Sequence, residues 1–337
     1  MQKTIFVVDD NDMNLAAANE ALKGQYRVIT LPSAIKMFTM MEKLTPDLIL
    51  LDIEMPDMDG FQALNRLKSI KPDIPVIFLT SLIDPEVEVK GFQLGAVDFI
   101  IKPFSEPVLI NRIKTHLDID NLIRERTKQL QKLQNGIVFV VADMVENRDK
   151  GTGGHIERTS AYLHILIDAM MANKLYTEEL KGIDLELLVT SARLHDVGKV
   201  AISDLILGKP ARLTDQEFEI MKTHAAEGER IIDQIVSRTE NVEFLHNARL
   251  FAGTHHERWD GKGYPNGLEG KNIPLQGRVM AIVDVYDALV SERPYKKGFT
   301  HDEAVKIIME GSGTQFDPDI TDLFNKTKEH FEAVKIK

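Results

Sequence analysis

The sequence contains no cysteine. This absence excludes disulfide bonds, iron–sulfur clusters and thiolate zinc sites, so any bound metal must be held by nitrogen and oxygen ligands. Such ligands favour iron, manganese or similar ions over a structural zinc. The sequence also lacks any apolar run approaching the roughly 20 residues that a helix needs to span a bilayer, so we expect no membrane insertion.

Positive charge is also scarce, because 41 Lys and Arg residues stand against 52 Asp and Glu residues, for a formal net charge of −11. A phosphate backbone needs a basic face, so we expect no DNA binding. An anionic small substrate would need locally placed metals, Lys or Arg. Met1 to Val8 lacks the basic start and long apolar middle of a signal peptide, so we expect a cytoplasmic protein.

The 337 residues are enough for two domains. The first third alternates short apolar runs with helix-length segments. The runs are Thr4 to Asp10, Tyr26 to Leu31, Asp47 to Asp52, Pro75 to Thr80 and Asp98 to Ile101. Runs of this kind are typical of buried parallel strands, which predicts a five-stranded α/β domain of the flavodoxin-like type over residues 1–120.

Three carboxylates follow or end these predicted strands. Asp9, Asp10 and Asp52 would meet at the carboxyl edge of the sheet. Their mutual repulsion is costly unless a hard cation such as Mg²⁺ neutralises it. Lys102, at the end of the fifth strand, supplies a further cation for the same site.

This part of the chain, from residue 3 to about 120, resembles the receiver domain of two-component response regulators. The resemblance is carried by Asp9-Asp10, Asp52 to Gly60, Thr80, Gly95-Ala96 and Lys102-Pro103-Phe104. It implies a cognate sensor histidine kinase as the phosphoryl donor. The implied roles are phosphoryl acceptor for Asp52, Mg²⁺ ligands for Asp9, Asp10, Asp52 and the Glu54 backbone carbonyl, phosphate partner for Lys102, and switch positions for Thr80 and Phe99. The alternative is a receiver-like fold that is never phosphorylated.

A heptad pattern follows the predicted receiver. The positions in its seam are Ile119, Ile123, Arg126, Leu130, Leu133, Ile137, Val140 and Met144. Spacings alternate between four and three residues, which is typical of a two-stranded coiled coil. We therefore expect a helical linker over residues 121–137 that joins two protomers in a homodimer. The same spacing also permits a single amphipathic helix packed on its own domain.

The remainder of the chain contains helix-length amphipathic segments in place of short strands. Examples are His155 to Met171, Leu185 to His195, Asp215 to Val236 and Arg278 to Val290, which predict an all-α domain over residues 138–337. Five of the ten histidines fall here in recognisable settings beside two carboxylates. These residues are His155, His195, Asp196, His224, His255, His256 and Asp284.

The pair His195-Asp196 is the centre of this set. Adjacent residues on a helix point about 100° apart, so one can bind one metal while the other reaches a second or bridges both. Lys199, one turn after His195, would then lie on the same helical face. Carboxylate and imidazole ligands without sulfur suit a di-iron or di-manganese hydrolytic centre.

Residues 138 to about 330 resemble the HD-GYP family of cyclic di-GMP phosphodiesterases. The matching residues are Asp149, Thr152, His155 and Arg158, then His195 to Lys199, His224, His255 to Glu257, Asp260 to Pro265, Asp284, and Arg293 to Lys296. The loop Gly263-Tyr264-Pro265 after the paired histidines distinguishes this family from other His-Asp hydrolases. The resemblance implies hydrolysis of cyclic di-GMP to pGpG, with continuation to GMP left open.

The same resemblance assigns roles. The implied metal ligands are His155, His195, Asp196, His224, His255, His256 and Asp284, with Asp196 as the bridge and as a catalytic residue. Catalytic Lys199 with Gly263, Tyr264, Pro265, Arg293 and Lys296 would contact substrate. Some members carry a Glu four residues before the first ligand histidine, where it recruits a third metal. Gly151 stands there in this chain, so we expect two metals.

Several alternatives stay open. The metal ligands do not read the base, so another cyclic dinucleotide such as 3′,3′-cyclic GMP-AMP is an alternative substrate. A catalytically weak nucleotide sensor is an alternative of another class. For Glu257 and Asp287 we favour orientation of the ligand imidazoles over a direct catalytic role, and for Asp260 a turn before glycine.

Overall fold

The computed structural model describes residues 2–81, 85–148, 154–239, 243–291 and 298–334. The chain divides into two compact units, Met1–Leu130 and Gln131–Lys337. In the described part of the chain, no helix combines the length and apolar character needed to cross a membrane.

Unit one contains a five-stranded sheet in which all strands are parallel. The strands are β1 (Thr4–Val8), β2 (Arg27–Leu31), β3 (Leu48–Asp52), β4 (Val76–Thr80) and β5 (Asp98–Ile101), in the order β2-β1-β3-β4-β5. The helices between them are α1 (Asp12–Leu22), α2 (Ala34–Met41), α3 (Gly60–Ile70) and α4 (Pro85–Gln93). The predicted α/β fold is therefore confirmed.

The central strands are apolar because helices cover both faces of the sheet. Strands β1, β3 and β4 are buried at all five of their residues, as expected for a parallel sheet between two helical layers. The only carboxylate and hydroxyl within β3 and β4 are Asp52 and Thr80, the last residues of these strands. The strand ends therefore place polar side chains together at one edge.

Helix α5 (Glu106–Glu146) is 41 residues long and contributes to both units. Its two ends are anchored by buried residues, from Leu109 to Leu117 and from Val138 to Val145, whereas residues 118–137 contain no buried residue. The seven apolar residues of the heptad seam are 47% to 65% exposed. The seam is thus uncovered in the single chain.

Beyond α5, the described residues of unit two form helices and no β-strand, and the predicted all-α domain is confirmed. Its helices are α6 (His155–Ala172), α7 (Thr177–Leu180), α8 (Leu185–Ala192), α9 (Asp204–Leu207), α10 (Asp215–Val236), α11 (Glu243–Thr254), α12 (Leu275–Val290), α13 (His301–Glu310) and α14 (Pro318–Glu332). Short 3-10 turns occupy Val197–Ala201 and Gly270–Asn272. The largest core cluster packs α6, α12 and α14 around aromatic residues that include Tyr162, Tyr286 and Phe331.

One local prediction was wrong. We expected His195, Asp196 and Lys199 on one continuous α-helix, but α8 ends at Ala192 and Lys199 lies in the 3-10 turn. The reason is the close approach of Gly198 to α10. A Cβ atom on Gly198 would lie 1.9 Å from the His224 carbonyl oxygen and 2.4 Å from the Gly228 nitrogen. The chain therefore leaves the helix at Ala192 and brings its backbone against α10.

Candidate functional site

Four imidazoles are brought together in unit two from four different elements. His155 is the first residue of α6, His195 follows α8, His224 lies within α10, and His255 follows the last residue of α11. All four side chains are buried. The site therefore forms where one helix begins, two end and the middle of another passes.

Backbone carbonyls fix the orientation of three of these rings. The Nδ1 atom of His195 lies 2.9 Å from the Ala192 oxygen, and that of His224 lies 2.7 Å from the Met221 oxygen. The Nδ1 atom of His255 lies 3.0 Å from the Phe251 oxygen. Since a carbonyl can only accept, each Nδ1 carries a proton, and Nε2 is the ring nitrogen that each imidazole turns into the site.

The Nε2 atoms face one another in two pairs. They are 3.4 Å apart for His155 and His195 and 3.3 Å apart for His224 and His255. Burial and neighbouring imidazoles lower the pKa of His224 and His255, which favours their neutral forms. In the second pair two lone pairs therefore meet without a proton between them, a donor set that suits a divalent cation.

The Asp196 carboxylate faces both pairs. Its Oδ1 atom lies 3.4 Å from His224 Nε2 and 3.8 Å from His255 Nε2. Its Oδ2 atom lies 3.4 Å from His195 Nε2 and 2.8 Å from Lys199 Nζ. Although burial raises the pKa of this carboxyl, Lys199 and the imidazoles hold it well below its ordinary value. The ionised carboxylate therefore lies between the two imidazole pairs.

Two ligand groups can be defined from these contacts. His155, His195 and Asp196 form one, and His224, His255 and His256 form the other, with ligand atoms within 4.8 Å of one another in each. Burial lowers the pKa of His256 to about 4, so its imidazole is neutral at physiological pH. Asp284 lies beside the first group, with Oδ1 3.7 Å from His155 Nε2. All seven residues predicted as ligands are therefore neighbours.

Asp287 holds His155. Its Oδ2 atom lies 2.8 Å from His155 Nδ1, and the carboxylate also accepts bonds of 2.6 and 3.0 Å from Arg158. Burial would raise the pKa of Asp287, but His155 and Arg158 keep it below its ordinary value. Asp287 is thus an ionised acceptor that orients one predicted ligand, in the role that we expected for it.

Two adjoining cavities open beside the ligands. The larger measures about 410 Å³ and contains Arg158, Lys199 and Lys209 in its walls. The second measures about 300 Å³ and contains Lys222, Arg258 and Lys262. Phe218, His256, Tyr264 and Asp284 line both cavities. Cationic side chains and aromatic rings around buried ligands are suited to a phosphorylated, base-containing molecule.

The loop after His256 folds back over that residue. The Tyr264 amide donates to the His256 carbonyl at 3.2 Å, and the two ring centroids are 4.7 Å apart. Gly263 permits the fold, because a Cβ there would lie 2.4 Å from the Arg258 nitrogen. Pro265 is exposed and lies outside the described lining of both cavities. Tyr264 is thus the residue of this tripeptide that faces the cavities.

Two acidic residues stabilise the same loop. Glu257 accepts from the amides of Asn266 at 2.7 Å and Leu268 at 2.9 Å. We expected it to orient an imidazole, but its described hydrogen bonds are to these loop amides, so that role stays a prediction. Asp260 accepts from the Lys262 amide at 3.2 Å, which agrees with the turn role that we favoured.

Two groups of predicted residues lie outside the described part of the chain. Arg293 and Lys296, expected to contact substrate phosphates, lie outside the described residues. The same holds for Asp149, Gly151 and Thr152 of the motif before His155.

In unit one, the predicted carboxylates also meet. Asp9, Asp10 and Asp52 place oxygens within 4.8 Å of one another. Lys102 Nζ lies 2.9 Å from Asp9 Oδ2 and 2.8 Å from Asp52 Oδ1. Burial raises the pKa of Asp52 against the opposing effect of Lys102, and the Glu54 amide donates to the same carboxylate. This donor set fits a hard cation such as Mg²⁺.

The two predicted switch residues lie on neighbouring strands. Thr80 is buried at the end of β4, and its carbonyl accepts from the Lys102 amide at 2.8 Å. Phe99 is 6% exposed on β5, with its ring 5.4 Å from that of Phe78 and 5.0 Å from that of Phe92. Thr80 thus adjoins the acidic site through the backbone, and Phe99 belongs to an aromatic cluster.

Sequence reasoning missed four residues near the hydrolase site. Phe218 and Lys209 line the larger cavity, Glu146 contacts the backbone of α6, and Arg148 contacts the backbone of the turn that carries Lys199. Phe218 gave only a weak signal in the sequence, as an aromatic residue one to two helical turns before His224. Nothing in the spacing marked the other three, because their partners are distant along the chain or are backbone atoms.

Comparison with known proteins agrees with these two units. Residues 5–114 match the response regulator receiver domain, and residues 139–320 match the HD domain. The chain belongs to the family of response regulators that join a receiver domain to an HD-type phosphodiesterase domain. The family assignment predicted from the sequence is confirmed.

Three relatives illustrate the family. A Vibrio cholerae protein named "Probable cyclic di-GMP phosphodiesterase" is 38% identical over 98% of this chain and 79% of its own. The Xanthomonas campestris cyclic di-GMP phosphodiesterase response regulator RpfG is 33% identical over 86% of this chain and 77% of its own. A V. cholerae 3′3′-cGAMP-specific phosphodiesterase is 37% identical over 63% of this chain and 37% of its own.

Proposed function

We propose that this response regulator hydrolyses cyclic di-GMP with two divalent metals. The observation that carries the proposal is the set of facing imidazole Nε2 atoms with the Asp196 carboxylate between them. The names of two relatives that match 98% and 86% of the chain support the substrate. The proposed ligands are His155, His195, Asp196, His224, His255, His256 and Asp284, and the proposed metals are iron or manganese.

Different residues of the site would have different roles in catalysis. When bound, two divalent cations would activate a water and bind the phosphodiester. Asp196 bridges the two ligand groups, and Lys199, 2.8 Å from that carboxylate, supplies positive charge for the phosphoryl oxygens as negative charge develops. The imidazoles tied through Nδ1 keep their rings fixed throughout turnover.

The two cavities suit a substrate with two bases. Tyr264 and Phe218 offer aromatic faces at their common border, and Lys199 lines the larger cavity. We propose that Tyr264 completes the substrate site with Arg293 and Lys296, and that Gly263 and Pro265 contribute through the shape of the loop that carries Tyr264. The first product would be linear pGpG.

We further propose control by phosphorylation of Asp52. In this proposal a sensor histidine kinase supplies the phosphoryl group. Mg²⁺ binds at Asp9, Asp10, Asp52 and the Glu54 backbone carbonyl. Lys102 pairs with the phosphate, and Thr80 and Phe99 act as the switch. The proposed domain limits are 1–120 for the receiver, 121–137 for the linker and 138–337 for the phosphodiesterase.

The uncovered face of α5 supports a homodimer. Leu130 and Leu133 are 65% and 60% exposed, and the heptad seam to which they belong would be buried by a second copy of the helix. Leu130→Glu combined with Leu133→Glu should give a monomer by light scattering. The control Lys132→Glu, on a position outside the seam, should leave the dimer intact. A monomeric wild-type protein would contradict the proposal.

The second candidate is hydrolysis of 3′,3′-cyclic GMP-AMP, favoured by the similarity to the cGAMP-specific relative. Measuring kcat/KM for both cyclic dinucleotides with one Mn²⁺-loaded preparation tests the choice. A higher value for cyclic di-GMP supports the proposal, whereas a higher value for cyclic GMP-AMP contradicts it. Tight binding of either nucleotide without hydrolysis would indicate a sensor.

A further inference from the structure

The last turn of α5 and the turn that follows it contact two elements of the hydrolase site. Glu146 is the final residue of the helix, and Arg148 follows it in a turn. We infer that these two residues position the proposed metal centre, with Glu146 acting on His155 and Arg148 acting on the turn that carries Lys199. The catalytic consequence of this inference rests on the proposed phosphodiesterase function.

Glu146 caps the helix that begins with a ligand. Its Oε1 atom accepts from the His155 amide at 2.9 Å, and its Oε2 atom accepts from the Ile156 amide at 3.4 Å. The residue at the N-cap of α6 is Gly154, which offers no side-chain cap bond. Glu146 thus accepts the amide hydrogen bonds that an N-cap side chain of α6 would otherwise accept. Its negative charge also suits a helix N-terminus. The start of α6 in turn determines where the His155 ring points.

Arg148 binds the segment after Asp196. One terminal nitrogen of its guanidinium donates to the Val200 carbonyl at 3.1 Å and to the Lys199 carbonyl at 3.4 Å. The other donates to the Ile202 carbonyl at 3.1 Å and to Asp204 at 2.7 Å. These are the carbonyls of the 3-10 turn Val197–Ala201 and the residue that follows it. A planar guanidinium with several donors can hold such a group of oxygens, whereas a lysine ammonium cannot match its geometry.

Packing places both residues firmly against the site. Val138 lies on α5, two turns before Glu146. It belongs to a buried cluster with Leu194 and Val197, which flank the pair His195-Asp196. Ala142 and Val145, farther along the same helix, are also buried. A shift of the end of α5 would therefore move the start of α6 together with the turn that carries Lys199. The end of α5 thus contacts both the start of α6, which carries His155, and the segment that carries His195 and Asp196.

The test uses the full-length protein stripped of metal. The variants are Glu146→Ala, Glu146→Gln, Arg148→Ala and Arg148→Lys, with Arg230→Ala as the matched control. Arg230 forms an exposed ion pair with Glu227 on α10 and is 55% exposed. Calorimetric titration with Mn²⁺, circular dichroism and cyclic di-GMP turnover are measured for each protein.

We expect both alanine variants to bind at least one Mn²⁺ about 10- to 100-fold more weakly and to lose kcat by a similar factor, as for other residues that orient metal ligands. The KM for cyclic di-GMP should stay within about twofold, because neither side chain is in the described lining of the two cavities. Glu146→Gln keeps one acceptor oxygen and should recover part of the affinity, while Arg148→Lys should recover little. Arg230→Ala should match the wild type.

Mn²⁺ affinity and kcat in both alanine variants equal to those of Arg230→Ala would overturn the inference. If circular dichroism shows that an alanine variant has lost helix, the test relies on Glu146→Gln and Arg148→Lys instead. Wild-type Mn²⁺ affinity in both of these variants would overturn the inference. A wild-type protein that binds Mn²⁺ without hydrolysing cyclic di-GMP would refute the proposed function, and the Mn²⁺ titrations would still decide whether these residues position the ligands.

Discussion

The Nε2 atoms of His224 and His255 lie 3.3 Å apart while the Nδ1 atom of each ring donates to a backbone carbonyl. Two buried, neutral imidazoles in this arrangement present lone pairs to each other, which is unfavourable until a cation occupies the space between them. This relationship makes metal binding the simplest explanation for the site, and it leads to predictions about the residues around it.

Replacement of Asp287 should weaken the metal centre without removing a ligand. Asp287→Asn changes the acceptor for His155 Nδ1 and removes the charge that pairs with Arg158. We expect a loss of about 10- to 100-fold in Mn²⁺ affinity, measured by calorimetric titration. Asp168→Asn on the exposed face of α6 is the control, since Asp168 is 65% exposed. Equal affinities for the two variants would contradict the proposed role of Asp287.

Substitution of Gly198 should destabilise unit two and move the 3-10 turn that carries Lys199. The added methyl group of Gly198→Ala would overlap the His224 carbonyl oxygen, and overpacking of this kind costs about 1–3 kcal/mol of the free energy of unfolding. Gly136→Ala is the control, because a Cβ at Gly136 meets no atom within 4 Å and that helical residue should gain about 0.5–1 kcal/mol. Chemical denaturation measures both. Unchanged stability in Gly198→Ala would mean that the contact with α10 is looser than described.

The carboxyl of Glu217 provides a pH prediction near the larger cavity. Hydrogen bonds from Lys209 and Thr214 lower the pKa of Glu217 to about 2. Because the folded-state pKa lies below the unfolded-state value, the stabilisation is present above about pH 4.3 and is lost as the pH falls through the folded-state pKa. NMR titration of this carboxyl should show the low pKa, and Lys209→Met should raise it.

Glu303 is an internal reference for that titration. Its pKa is also lowered, by hydrogen bonds from the backbone and hydroxyl of Thr300 in a similar capping box. Lys209→Met should leave the pKa of Glu303 unchanged. If Glu217 titrates at its ordinary value in the wild type, the hydrogen bonds from Lys209 do not persist in solution.

Phosphorylation control predicts a specific effect at Asp52. Asp52→Ala should abolish the change in phosphodiesterase rate caused by a small-molecule phosphoryl donor, while the basal rate remains, because Asp52 lies in unit one. Asp12→Ala, an exposed acidic residue in the first turn of α1, is the matched control. Rates are measured with and without donor in the presence of Mg²⁺. An equal response in the Asp52 variant and the wild type would exclude this residue as the acceptor.

The fold and the ligand set were accessible from the sequence for different reasons. Buried parallel strands such as Leu48–Asp52 are read directly from short apolar runs, and His224 or Asp196 from the motif in which it stands. The end of α8 at Ala192 was not accessible, because it depends on the packing of Gly198 against α10. Contacts between distant residues decided the roles of Glu146 and Glu257 in the same way.

The central claim is a dinuclear phosphodiesterase, and the most direct test measures metal content and cyclic di-GMP turnover on the same protein. Anaerobically purified protein loaded with Fe²⁺ or Mn²⁺ is compared with its chelated form and with the double variant His195→Ala, Asp196→Ala. We predict about two metals per chain and turnover to pGpG that disappears on chelation and in the double variant. Turnover that persists after complete removal of metal, or in the double variant, would contradict the account.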